Sequence, residues 1–120
     1  MREILFRGKQ KNNGEWIYGD LVTKQNICIA NDWHEVIRVD DETVGQYTGL
    51  TDKNGKKIFD DDIVKDIVGG IYKVVYDTEY MRFAFEQDSI KWGLEGFDSV
   101  MDFEVIGNIY DNPELLGGAK

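Results

Sequence analysis

Few residues in this 120-residue chain are of types that could do chemistry, and their spacing argues against most of it. The single histidine, His34, lies six positions after the single cysteine, Cys28. A Cys–His dyad is formally available from that pair. Yet His34 falls in an expected turn, and Cys28 falls between Ile27 and Ile29 in an expected strand. A small packed thiol and an exposed turn imidazole fit these positions better. Carboxylates cluster at Asp40-Asp41-Glu42 and Asp60-Asp61-Asp62. Hard cations take such oxygen ligands, but a calcium loop starting at Asp52 would need glycine sixth and glutamate twelfth. Here glycine is fourth (Gly55) and Ile63 stands twelfth. Gly45-Gln46-Tyr47-Thr48-Gly49 lacks the lysine of a phosphate loop. An enzyme reading would need Asp61, Asp62 or His34 to converge in a pocket. The expectation is therefore a non-enzyme, with no catalytic residue, metal or cofactor.

The elements that carry these residues read as β-structure. Short runs rich in β-branched and aromatic residues recur between glycine, Asn and Asp turns. They are Glu3–Arg7, Glu15–Thr23, Asn26–Ala30, Glu35–Val39, Val44–Leu50, Lys57–Phe59, Ile63–Ile67, Ile71–Asp77, Met81–Glu86 and Phe103–Tyr110. Gly8–Gly14 reads as a polar turn, and Ser89–Phe97 as a loop with strand fragments. Asn54-Gly55 is a hairpin signal, and Gly69-Gly70 marks another tight turn. Trp16, Tyr18 and Val22 share one face of their strand, and Ile17 and Leu21 the other. Both faces look covered, which predicts a central strand. Gly107 reads as a bulge or a close backbone approach. Asn112 and Pro113 open a short C-terminal helical turn. The fold class expected is all-β: short antiparallel strands forming a small SH3-like barrel, plus a packed N-terminal β-meander. Residues 1–120 make a single domain, with possible lobes at 1–42 and 43–120.

Composition narrows the partners. The net charge is −9, so phosphate backbones are repelled and direct nucleic-acid binding is not expected. The densest basic groups, Arg7/Lys9/Lys11 and Lys53/Lys56/Lys57, both fall at expected turns. One cysteine allows no internal disulfide and suits a reducing compartment. No signal peptide is read in Met1–Arg7, and no apolar run reaches membrane length, so a cytoplasmic protein is expected. Aromatics exceed what a core this size needs. Trp16, Tyr18, Trp33 and Tyr47 are the candidate binding residues, in turns shaped by Gly45, Gly49 and Gly55. Self-association is one ordinary way to cover the strand edges of a small β domain.

Three stretches together carry a family resemblance. They are Arg2–Arg7 with Trp16–Leu21, then Thr43–Val64, then Glu104–Leu116. The chain resembles the YopX family on these motifs, which span it end to end. The resemblance implies a protein of phages and prophages of low-GC Gram-positive bacteria, all-β, oligomeric in kind, and of no established activity. It carries no catalytic residue over. The family has Glu-Gly before Asp-Ile-Val; here Asp60-Asp61 precede Asp62-Ile63-Val64, which is expected to alter a turn. Two roles follow: an oligomeric accessory protein that binds other proteins, or an acidic regulator that mimics DNA toward a basic protein.

Overall fold

The computed structural model describes residues 4–23, 26–31, 35–94, 99–100 and 102–117. The strands are β1 (Phe6–Lys9), β2 (Trp16–Thr23), β3 (Ile27–Ala30), β4 (Val36–Arg38), β5 (Gly45–Asp52), β6 (Lys57–Phe59), β7 (Asp62–Lys65), β8 (Ile71–Asp77), β9 (Arg82–Gln87), β10 (Ile90–Gly93), β11 (Ser99–Val100) and β12 (Glu104–Asn108). The chain is all-β, in two sheets. One takes β1 to β6 and β11; the other runs β10-β9-β8-β7-β12. Pairing is antiparallel apart from β11, which runs parallel to β5. Among the described residues no ladder joins β10 to β12, so the second sheet stays open. Two compact units divide at Tyr47 and Thr48, inside β5.

In the first unit β1 to β4 pair in chain order, a meander. Period-2 alternation sends Phe6, Ile17, Ile27, Ile29 and Ile37 to one face. They pack there with Val39 and Val44, and Ile29 is fully buried. The strand β1 runs to Lys9, past the start of the polar turn expected from Gly8. Gly8 stays extended because its missing side chain leaves room for Val39, whose Cβ would lie 3.0 Å from a Cβ at position 8. Arg7 and Lys9 therefore sit in a strand and not in a turn. The central position of β2, between β1 and β3, agrees with the sequence. Cover on both of its faces does not: Tyr18 and Leu21 are exposed.

In the second unit the core is Leu50, Ile58, Val64, Val74, Phe85 and Leu94, with Tyr72, Phe83, Phe103 and Val105 packed against it. Tyr72 lies within 6.1 Å of Phe85 and within 5.5 Å of Phe103, centroid to centroid. Within the segment read as loop with strand fragments, Ile90–Gly93 is strand β10, paired along its length with β9. Its turn, Asp88-Ser89, has φ of 53° and 69°. Two consecutive left-handed residues make a type I′ hairpin turn. It escaped the sequence because neither residue is glycine. The bulge expected at Gly107 is present, between Val105 and Gly107 in the pairing with β7. A Cβ there would come 2.5 Å from the Asn112 side-chain oxygen, so the close approach is present too. Pro113–Leu116 forms one 3-10 turn, closed by left-handed Gly117.

The altered turn before Asp62 has a clear backbone signature. Asp61 occupies the position where the resemblance expects glycine, and its φ is 72°. Its N–H donates to the Val74 carbonyl at 2.8 Å, and its carbonyl accepts from the Ile109 N–H. Its carboxylate accepts the Tyr110 hydroxyl at 2.8 Å. The left-handed cost of a non-glycine residue is thus offset by a side-chain bond. Asp61→Ala, which keeps the cost and loses the bond, should lower stability by about 1–2 kcal/mol. Asp61→Gly should fall within about 0.5 kcal/mol of the parent. Urea midpoints of the two variants check this ordering.

Candidate functional site

The four residues expected to bind fare differently. Trp16 and Tyr18 share the face of β2 opposite the first unit's core. Cross-strand pairing sets Lys9 beside Trp16 and Arg7 beside Tyr18. The Arg7 guanidinium carbon lies 4.5 Å from the Trp16 ring centroid, and the Lys9 ammonium 5.5 Å. Such contacts are worth roughly 0.5–2 kcal/mol. Trp16 is therefore engaged by two cations of its own chain, while Tyr18 is 46% exposed. Tyr47 is only 6% exposed, which leaves little of its ring for a partner. Inward alternation along β5 buries it, and its strand neighbour Thr48 points its hydroxyl at the Ile58 carbonyl. Trp33 and His34 lie outside the described residues.

The carboxylate clusters do not converge either. Asp62 is buried and accepts the Phe59 N–H, a turn-closing bond. Asp61 serves Tyr110, and Asp41 and Glu42 lie in a single 3-10 turn. Among the described residues no group of three could hold a metal.

What sequence reasoning missed is a set of aspartates at loop bases. Asp66 begins the β7–β8 loop. Its Oδ1 accepts the N–H of Val68 at 3.1 Å and of Gly70 at 2.7 Å. Its Oδ2 accepts the Tyr72 hydroxyl at 2.9 Å. The Gly70 amide and that hydroxyl, with Val68 and Gly69, hold the Asp66 carboxyl below its ordinary value against partial burial. The same bond raises the Tyr72 phenol. The Gly69 N–H closes on the Asp66 carbonyl, with Gly69 left-handed at φ 94°. This is a type I turn followed by a glycine bulge. Its two central residues are Ile67 and Val68, 80% and 87% exposed. At the other end of β8, Asp77 accepts the Glu79 N–H. That turn presents Tyr80 and Met81, also exposed, with Arg82 stacked 4.8 Å from the Tyr80 ring. An Asp-x-x-Gly spacing, seen at Asp52–Gly55 and Asp66–Gly69, was the available signal.

Beside the Ile67-Val68 tip, wholly within the second unit, lies an open cleft of about 620 Å³. Ile71, Lys73 and Glu86 line it from the sheet, and Leu115 and Leu116 from the C-terminal 3-10 turn. The tip's own Gly69 and Gly70 form one wall. Gln87, Asp88 and Ser89, at the β9–β10 turn, and Gly117 complete its lining.

Comparison with known proteins agrees with the fold. The crystal structure of protein EF1440 from Enterococcus faecalis is similar, with a TM-score of 0.67 and 23% identity. The match covers 97% of this chain and 99% of that one. No curated protein matches the chain. Among the described residues no helix is long and apolar enough to cross a membrane. The family described as YopX protein matches residues 5–117, nearly the whole length, and the chain therefore belongs to the YopX family.

Proposed function

We propose that this chain is a non-enzymatic accessory protein of phage or prophage origin, acting in the bacterial cytoplasm as an oligomeric, protein-binding or assembly module. The observation that carries the reading is the pair of apolar tips at the ends of β8. Ile67-Val68 and Tyr80-Met81 stand exposed on turns whose backbone N–H groups donate to Asp66 and Asp77. Apolar side chains held out this way gain nothing in folding, and pre-organised apolar anchors lower the entropy cost of binding. Residues 43–120 serve as the binding lobe, with an SH3-like curl of its strands as the finer reading. Tyr18 adds a third exposed aromatic surface, on the first unit.

The test is association measured by light scattering over a concentration series, with Tyr18→Ala and Tyr80→Ala beside the parent. Both sites are exposed, and Tyr80→Ala gives up only the stacking of Arg82, so each variant should stay within about 1 kcal/mol of the parent's stability. At least one should lose association or partner capture tenfold or more. A strict monomer that captures no protein would remove the reading.

Charge favours a second reading. Residues 48–120 hold fifteen acidic and eight basic residues, a net −7 of the chain's −9. A surface of that sign suits a basic groove, as in DNA mimicry. Binding of that kind weakens steeply as salt rises from about 50 to 200 mM.

A further inference from the structure

We infer that β10 is a strand-addition edge, and that its occupant is an extended segment of a partner protein with the side-chain pattern apolar–acidic–apolar. The inference rests on the protein-binding reading above and gives it a site and a ligand chemistry. Three observations carry it.

The first is the contrast between the two edges of the second sheet. At the β12 edge the backbone is tied down. The Val105 N–H donates to the Asp52 carboxylate at 2.8 Å, and the Asn108 N–H to the Asn112 side-chain oxygen at 3.3 Å. The Phe103 carbonyl, just before β12, accepts the Lys53 N–H. At the other end β10 pairs with β9 alone among the described residues. Its two-residue turn makes Gln87 and Ile90 a hydrogen-bonded pair. The ladder continues through Phe85 and Trp92 to the bond from the Leu94 N–H to the Phe83 carbonyl. Alternation then sends the N–H and C=O groups of Lys91 and Gly93 away from β9. Such a row is a template for another strand. Of the devices that blunt an edge, β10 has one lysine, but no bulge in its register with β9 and no proline.

The second is the pattern of side chains that a new strand would meet. Lys73, Glu86 and Lys91 stand in one cross-strand row. Glu86 is thus shared between two ammonium groups, and an acidic residue opposite Lys91 continues the alternation of sign. On the other face the row is Val74, Phe85 and Trp92. Trp92 meets the Tyr72 ring edge-on at 5.7 Å and is still 45% exposed, and Ile90 is 56% exposed. Apolar residues opposite Ile90 and Trp92 would cover both.

The third is that a second β10 lacks this pattern. It reads Ile-Lys-Trp-Gly, with a cation where the row calls for an anion. Each copy also carries −9, which opposes close approach of two. The occupant that fits is a strand of different sequence.

The experiment is an amide-shift titration with hydrogen exchange on the full chain, using two capped heptapeptides. One is Thr-Thr-Val-Glu-Val-Thr-Thr, and the other has lysine in place of glutamate. The glutamate peptide should bind and slow exchange of the Lys91 and Gly93 amides at least about tenfold at saturation. The lysine peptide should bind about threefold more weakly. Lys91→Glu should reverse that preference. Lys91→Pro, which removes the outward N–H, should weaken binding of both peptides at least about tenfold. Circular dichroism should show both variants folded, since Lys91 is exposed on an edge. No binding of either peptide at about 1 mM overturns the inference. Binding that leaves the Lys91 and Gly93 amides unchanged also overturns it, yet leaves the protein-binding reading standing on another surface. Protection of those amides that grows with protein concentration alone overturns the choice of occupant in favour of a second copy. An unchanged preference in Lys91→Glu overturns the acidic centre of the pattern.

Discussion

Gly19→Ala should strongly destabilise the pairing of β1 to β4. A Cβ built at position 19 would lie 2.0 Å from the Ala30 carbonyl oxygen, 2.8 Å from the Ala30 carbonyl carbon and 3.1 Å from the Asn31 Cα. All three are backbone atoms of the neighbouring strand and its exit, so no rotamer change relieves the clash. The φ of 159° at Gly19 is itself one that side chains rarely adopt. Relief requires β2 and β3 to separate, which breaks the ladder from Asp20–Ala30 to Thr23–Ile27. It also uncovers Ile29, which is completely buried. Overpacking against backbone costs about 3 kcal/mol or more, a large share of a total near 5–15 kcal/mol. Gly14→Ala is the control: φ is 73° there, nothing lies within 4 Å, and the cost should be only about 1 kcal/mol. Amide spectra and thermal melts of the two variants separate the effects. A native spectrum and an unchanged melting temperature for Gly19→Ala would show that the strands part more easily than their geometry allows.

The second large effect is expected at Asp52. This side chain is 3% exposed and ties two distant parts of the second unit together. Its Oδ1 accepts from the N–H of Asn54 at 2.8 Å and of Lys56 at 2.9 Å, shaping the β5–β6 turn. Its Oδ2 accepts from the Val105 N–H at 2.8 Å, at the start of β12. Asp52→Ala orphans all three donors and should cost about 3–4 kcal/mol; Asp52→Asn keeps one oxygen and should cost about 2 kcal/mol. Burial by itself would raise this carboxyl's pKa. The amides of Val105, Lys56 and Asn54, with the Lys56 charge, outweigh burial and hold it below the ordinary 3.8. A depressed folded pKa gives stability that is complete above the unfolded value and is lost as pH falls through the folded one. Asp66 acts in the same direction. Urea midpoints should therefore be steady near pH 6 and drop below about pH 4, less steeply in Asp52→Asn. Equal slopes for parent and variant would place the acid sensitivity elsewhere.

These two residues also show how much could be read in advance. Most strands were legible because period-2 alternation and turn chemistry are local. Ile71–Asp77 and Lys57–Phe59 agree to the residue. Asn54-Gly55 gave the turn, but not the bond from Asp52 to Val105, which spans 53 positions. β10 was read only as a strand fragment in a loop, because its type I′ turn uses Asp88 and Ser89, which enter the left-handed region less readily than glycine. The candidate site was less legible than the fold. Tyr18 and Tyr47 are the same residue type in similar strands, yet one is exposed and the other buried. Ile67 read as the end of the strand Ile63–Ile67 and instead forms an exposed tip with Val68.

By itself the sequence determined an all-β chain of short antiparallel segments, and where glycine and aspartate would turn it. Those properties follow from backbone sterics and side-chain alternation over a few residues. Only the tertiary structure decided which bulky side chains stay at the surface and which carboxylates become struts. Both depend on groups brought in from far along the chain. An N–H from β12 reaches Asp52, and a turn near the C-terminus sets Leu115 and Leu116 beside the β7–β8 tip.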